Sequence, residues 1–184
     1  MKMNVNRNII ENSYYMVSLF SKKELDEKIR KNKNITNLKL QKLMYFVEAY
    51  YMVKNKDENY LYDTEWSAWD YGPVNKELYN HYKKFGSLDI LLTDNQKSIG
   101  IDLPKENKEI IDKIYDLFGG LSAFDLVTLT HLDGSPWSSI YKRNRDSKEY
   151  DFEKINNSQI SKEKTREWFE ERFEFLFNPS NGEK

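Results

Sequence analysis

The chain has 184 residues and a nearly balanced charge, with 29 Lys and Arg against 30 Asp and Glu. This balance provides no overall field to attract nucleic acid, so nucleic-acid binding is not expected. The absence of cysteine excludes disulfides and thiolate chemistry and suits a reducing cytoplasm. The longest apolar run, 43–53, contains Glu48 and is far shorter than the roughly 20 residues of a membrane span. We therefore expect a cytoplasmic protein with one globular domain.

The first predicted helix has apolar residues at helical spacing. They are Ile9, Ile10, Tyr14, Val17 and Phe20. Ser21, followed by Glu24, has the spacing of a capping box that would start a second helix. The polar run 30–34 then predicts a loop.

The next predicted helix is apolar on nearly all of its faces. Thr36 is the predicted N-cap, because its hydroxyl can accept from the free amides of the first turn. One stripe follows the spacing of a buried helix face: Leu40, Leu43, Met44, Val47 and Tyr51. Glu48, within this run, is predicted either to have a raised pKa or to pair with a nearby Lys or Tyr. Because such a helix must be packed on several sides, we expect it at the centre of the fold.

Two short segments after this helix, 60–62 and 65–70, are rich in residues that favour strands and predict a hairpin or edge pair. Gly72 permits backbone angles closed to other residues, and Pro73 suits the first turn of a helix. That helix is predicted to end at Gly86. Residues 88–103 are predicted to be a connector with a short strand near 90–92.

Three further helices are predicted, over residues 104–118, 122–132 and 161–177. Ser135-Pro136-Trp137 has the order of an N-cap, a first-turn proline and an aromatic anchor. The predicted fold class is therefore mostly α (α+β): a single helical domain around a central apolar helix, with a small β-hairpin or minor sheet. Residues 178–184 are predicted to form a flexible tail.

The chain offers few groups for catalysis. His131 is close in sequence to Asp133 and Ser135, but these residues fall at a helix end and a turn, where Asp and Ser serve local hydrogen bonds. Catalytic triads are usually assembled from distant parts of a chain. His81 and His131 lack the paired spacing of a metal site, and no glycine-rich phosphate loop is present. We expect no enzymatic activity and no metal, nucleotide or other cofactor.

Three segments together resemble a known family: 38–46, 68–79 and 131–137. In this order and spacing they are similar to the Panacea domain of SocA-like antitoxins, over about 38–141. The resemblance implies a Panacea-like domain at 35–177 and an N-terminal helical extension, 1–34, packed on it. The residues that match the family motifs, with a mainly structural role, are Leu40, Gln41, Lys42, Tyr45, Trp69, Tyr71, Gly72, Pro73, Val74, His131, Pro136 and Trp137.

The resemblance implies an antitoxin of bacteria or phages that neutralises a cognate toxin, encoded by an adjacent gene, through direct protein contact. Two alternatives keep the same fold: a phage or mobile-element inhibitor of a host protein, or a proteolytic adaptor that presents one. A nucleic-acid-binding regulator or a hydrolase is less favoured. The candidate partner-binding residues lie in a charged run and an aromatic strand. The alternative interpretation of the charged run is a solvated face, and that of the aromatic strand is a core strand. They are Lys22, Lys23, Arg30, Lys31, Lys33 and Trp66.

Overall fold

A computed structural model describes residues 5–22, 26–55, 60–145 and 157–178. In chain order the described elements are α1 (Ile9–Phe20), α2 (Glu27–Lys31), α3 (Asn37–Lys54), β1 (Trp66–Trp69), β2 (Gly72–Asn75), α4 (Lys76–Tyr82), a 3-10 turn (Lys83–Phe85), α5 (Asp94–Ile101), α6 (Lys105–Phe118), α7 (Ala123–Thr130), α8 (Pro136–Arg145), α9 (Lys162–Glu171) and α10 (Phe173–Phe177). The strands form an antiparallel pair. The predicted fold class, mostly helical with a minor sheet, is confirmed.

Helix α3 is at the centre of the fold, as predicted. Thr36 caps it, because its hydroxyl accepts a hydrogen bond from the Lys39 amide at 3.3 Å. Fourteen of its 18 residues are buried, and α1, α6, α7, α9 and β2 all pack against it. Even Lys39 is buried, and its ammonium donates to the carbonyls of Asn32 and Gly119, where α2 and α6 end. Packing on every side explains why the sequence of α3 has no polar face.

The predicted strand pairing is wrong. Strand β1 pairs with β2 across the two-residue turn Asp70-Tyr71, whereas residues 60–62 form no strand. Pro73 therefore lies in β2, opposite Ala68, and not in the first turn of a helix. The Pro73 carbonyl faces away from β1, towards Lys42. The nitrogen of Pro73, which carries no proton, faces the same side. Proline therefore removes no hydrogen bond between the two strands.

The following helix starts later than predicted. Asn75 caps α4, since its Oδ1 accepts from the Leu78 amide at 3.0 Å. The positive φ of 56° at Gly86 then ends the 3-10 turn after α4, close to the predicted stop. Helix α5 occupies the predicted connector, with Thr93 and Gln96 as a capping box. Residues 90–92 form no strand.

Two predicted helix boundaries are also corrected. Helix α2 begins after Asp26, and Ser21 instead ends α1, with its amide donating to the Ser18 carbonyl. Glu24 lies outside the described residues. The last predicted helix is divided at Arg172 into α9 and α10, and the predicted tail after Asn178 also lies outside them. No helix within the described ranges is long and apolar enough to cross a bilayer.

Candidate functional site

The motif residues of α3 and β2 meet along the outer edge of the hairpin. Gln41 Oε1 accepts from the Asn75 amide at 2.9 Å, and Gln41 Nε2 donates to the Asn75 carbonyl at 3.3 Å. Lys42 Nζ donates to the Pro73 carbonyl at 2.8 Å. These side chains satisfy backbone groups of β2 that an open edge strand would present to another chain. This part of the motif therefore closes the sheet edge.

Gly72 lies where α3, the hairpin and α7 meet. Its φ is +93°, in the region that favours glycine. A Cβ at this position would lie 2.5 Å from Thr130 Oγ1 and 3.1 Å from Lys42 Nζ. Lys42 is fully buried beside it, and this burial lowers the pKa of its ammonium to about 7. The sequence predicted the freedom that Gly72 needs but not the close packing around it.

The motif residues at the α7–α8 junction form an aromatic stack. The rings of His131 and Trp137 are parallel, with centroids 3.6 Å apart. The Tyr141 ring also stacks on Trp137, with centroids 4.6 Å apart. Trp137 Nε1 donates to the Trp69 carbonyl at 2.7 Å. Burial, with a smaller effect from the charge of Lys42, lowers the pKa of His131 to about 4. The stack therefore contains a neutral imidazole at physiological pH and fixes α8 to the hairpin.

Local hydrogen bonds account for the residues that resemble a triad. The Ser135 hydroxyl donates to the Thr130 carbonyl at 2.8 Å and accepts from the Ser138 amide. Ser135 therefore caps α8, as predicted. Asp133 is exposed and forms an ion pair with Lys142. Ser135 is thus not bonded to His131. Among the described residues, no group of three His, Cys, Asp or Glu side chains is placed to hold a metal ion.

The remaining sequence candidates divide between surface and core. The side chains of Lys22, Arg30, Lys31 and Lys33 are exposed, whereas Lys23 lies outside the described residues. Contrary to the expectation of a partner-binding role, Trp66 is only 2% exposed and packs edge-on against Tyr45, with ring centroids 5.1 Å apart. Residues 158–160 also pair with the other edge of its strand: the Ala68 amide donates to the Ser158 carbonyl, and the Ile160 amide to the Trp66 carbonyl.

An open groove lies beside the hairpin, with a volume of about 470 Å³. We call it the hairpin groove. It is lined by Asn37, Leu38, Gln41, Trp69, Asp70, Tyr71, Val74, Tyr79, Lys83 and Gly86. Tyr71 is 59% exposed at the turn, and its ring lies 6.3 Å from that of Phe124, which is 66% exposed. The groove and this aromatic pair form an accessible apolar surface. Of the motif residues that line it, Tyr71 is exposed and Trp69 is half-buried, whereas Gln41 and Val74 are buried.

Sequence reasoning missed two residues of this region. Asn75 joins Gln41 to the hairpin and caps α4, and its place three residues before Leu78 was a usable capping signal. Tyr79 falls within the motif segment 68–79 but was not predicted as a site residue, although its ring lies 4.9 Å from that of Trp69 in the groove. Its exposed position depends on how α4 packs, which the local pattern does not reveal.

Glu48 forms a second buried polar cluster, away from the groove. Its Oε2 accepts from the Tyr62 amide at 3.1 Å, and the Tyr62 carbonyl accepts from Lys162 Nζ at 2.8 Å. Desolvation raises the pKa of Glu48 to about 8, against the opposing charges of Lys162 and Arg7. Of the two sequence expectations for Glu48, the raised pKa holds. Lys162 acts on Glu48 only through its charge, because its ammonium binds the Tyr62 carbonyl.

This raised pKa predicts a loss of stability as pH increases. Between about 4.5 and about 8 the unfolded chain ionises Glu48 while the folded chain keeps it protonated, so the folded state binds more protons. The contribution of Glu48 to the free energy of unfolding should then fall with pH by at most about 1.4 kcal/mol per unit across this window and level off above it. Glu48→Gln should remove this component. Denaturant unfolding of both proteins across the window tests it, and equal pH slopes would contradict it.

Comparison with known proteins identifies the motif series. The family model for the antitoxin SocA-like Panacea domain matches residues 40–138. Antitoxin SocA of Caulobacter vibrioides (strain NA1000 / CB15N) is 31% identical over 114 residues, which cover 58% of this chain and 60% of the relative. The match therefore spans less than two thirds of that relative's length. No solved structure is significantly similar to the chain. Since the family model covers more than half of its residues, the chain belongs to the antitoxin SocA-like, Panacea domain family.

Proposed function

We propose that this protein is an antitoxin that neutralises a cognate toxin by binding it directly. The observation that carries this proposal is the accessible apolar surface formed by the hairpin groove and its neighbouring aromatic pair. Protein interfaces are enriched in such aromatic side chains. A surface of this kind on a member of an antitoxin family favours action through contact with another protein.

The proposal assigns no catalytic residue and no cofactor. The polar side chains of the motifs have structural partners: Gln41 and Lys42 bind the backbone of β2, and Ser135 caps α8. His131 is neutral and stacked on Trp137. We propose that these residues support the surface and that the toxin contacts other side chains.

The exposed cations near α2 are proposed as peripheral contacts. Lys22, Arg30, Lys31 and Lys33 are all at the surface, where a partner can reach them. Solvated charges at the rim of an interface contribute little affinity but accelerate association. We therefore propose that they steer the toxin, while the apolar surface supplies the affinity.

Co-expression with the product of an adjacent gene tests the proposal in the cytoplasm of a bacterial host. We expect that gene product alone to stop growth, this protein to restore growth, and the two to co-purify at a fixed ratio. The toxin should persist in the bound form. A toxin that disappears when the antitoxin is present would support the proteolytic adaptor instead, and rescue without association would contradict direct binding.

A further inference from the structure

The hairpin groove has an apolar floor because its polar side chains are engaged within the chain. Asn37 Nδ2 donates to the Tyr79 carbonyl at 3.3 Å, and the Gln41 amide exchanges hydrogen bonds with Asn75. The groove surface is therefore mainly apolar: Leu38, Trp69 and Tyr79 are at least partly exposed in its wall, and Val74 is buried in it. An apolar ligand gives up no hydrogen bonds to water when it enters the groove. A polar ligand would lose such bonds and find few hydrogen-bonding groups to replace them.

Opposite charges mark two separate parts of the groove wall. Asp70 lies in the hairpin turn, where its Oδ1 accepts from the Tyr141 hydroxyl at 3.3 Å. Lys83 begins the 3-10 turn after α4, and its Nζ is engaged by Asn80 at an exposed site. A complementary occupant therefore carries a cation next to Asp70 and an anion next to Lys83.

The apolar surface continues beyond the groove. Tyr71 and Phe124 extend it past the turn towards α7, so the accessible aromatic surface is longer than the groove itself. Small-molecule sites enclose most of their ligand, whereas this surface is open. Both features favour a polypeptide over a small molecule.

From these observations we infer that the hairpin groove binds an apolar segment of the toxin, flanked by a basic residue facing Asp70 and an acidic residue facing Lys83. This inference rests on the proposed function, because it names the surface and the chemistry through which the toxin is bound. Tyr79 and Trp69 anchor the segment, and the Tyr71–Phe124 pair covers its end. Truncation of central aromatic anchors commonly has the largest effect on affinity.

Tyr79→Ala tests the anchor, with Phe175→Ser as the matched control. Phe175 is an exposed aromatic residue, 75% accessible, on α10. That helix stacks Phe173 on Tyr50 near the end of α3, about 18 Å along the helix from Leu38 in the groove. Using the purified toxin from the adjacent gene, we expect Tyr79→Ala to raise Kd about 30-fold or more and Phe175→Ser to leave it within about threefold.

Lys83→Glu provides a second test that does not depend on truncating a packed ring. Lys83 is exposed, so the variant should fold, and Lys105→Glu at the start of α6 is the matched charge control. We expect Lys83→Glu to raise Kd about fivefold to tenfold, mainly through slower association that depends on salt, and Lys105→Glu to change it less than twofold. Circular dichroism and thermal unfolding confirm that each variant is folded.

The outcomes separate the two proposals. If the wild-type protein binds the toxin and both groove variants bind as tightly as their controls, the toxin contacts another surface and the groove inference is wrong. If the wild-type protein itself does not bind or neutralise the toxin, the proposed function is wrong. Selective loss of affinity in the groove variants supports both.

Discussion

Replacing Trp137 with alanine is expected to lower the free energy of unfolding by about 3–5 kcal/mol. The ring is 6% exposed and stacks on both His131 and Tyr141. Its removal leaves a cavity at the junction of α7 and α8 and also deletes the hydrogen bond to the Trp69 carbonyl. Denaturant unfolding at constant pH measures the loss.

Trp137→Phe separates the ring from its N–H group. Phenylalanine keeps much of the stack but cannot donate to the Trp69 carbonyl, so we expect a smaller loss of about 1–2 kcal/mol. Because the binding surface remains intact, this variant should still rescue cells from the toxin at a permissive temperature. A loss below about 1 kcal/mol for Trp137→Ala would show that the stack is not an important support.

The parts of the fold encoded by local signals could be predicted from the sequence. Thr36 and Ser135 cap α3 and α8 as expected, because capping requires only a hydroxyl at the right place before a helix. The centrality of α3 also follows from its own composition, since a helix without a polar face has to be covered on several sides.

Elements that depend on distant packing were missed. Helix α5 has few apolar residues, and it is held where Gly100 lets its backbone approach Tyr15 of α1, with a Cβ position only 2.7 Å from the Tyr15 amide nitrogen. Pro73 has two common environments, a helix start and an edge strand, and the choice between them is made by the pairing with Ala68. Local patterns contain neither piece of information.

The candidate site shows the same division. Its motif residues were recognised as a series, but the closure of the β2 edge by Gln41 and Lys42 requires α3 and the hairpin to be already in contact. Trp66 and Tyr71 belong to the same aromatic segment, yet one is buried and the other exposed. Trp66 packs against Tyr45 of α3 within the core, whereas Tyr71 lies in the turn between the two strands. Exposure within this aromatic segment therefore depends on where α3 packs against it, and the segment's own pattern does not contain that information.

Gly72→Ala is expected to destabilise the protein by about 2–4 kcal/mol, because two costs combine at this position. A φ of +93° is strained for any residue with a Cβ. The new methyl group would also lie 2.5 Å from Thr130 Oγ1 and 3.1 Å from Lys42 Nζ, in a region that has no space to accommodate it. Thermal and denaturant unfolding should show the loss directly.

Gly134→Ala isolates the first of these costs. Gly134 also has a positive φ, 72°, but a Cβ there meets nothing within 4 Å, so only backbone strain of about 1–2 kcal/mol is expected. The additional loss at Gly72 should shrink when Thr130→Ala removes the hydroxyl, with a coupling of about 1 kcal/mol or more in the double-mutant cycle. Equal losses at the two glycines, or no coupling with Thr130, would mean that the hairpin moves away from α7 and that the close contact at Gly72 is not required for stability.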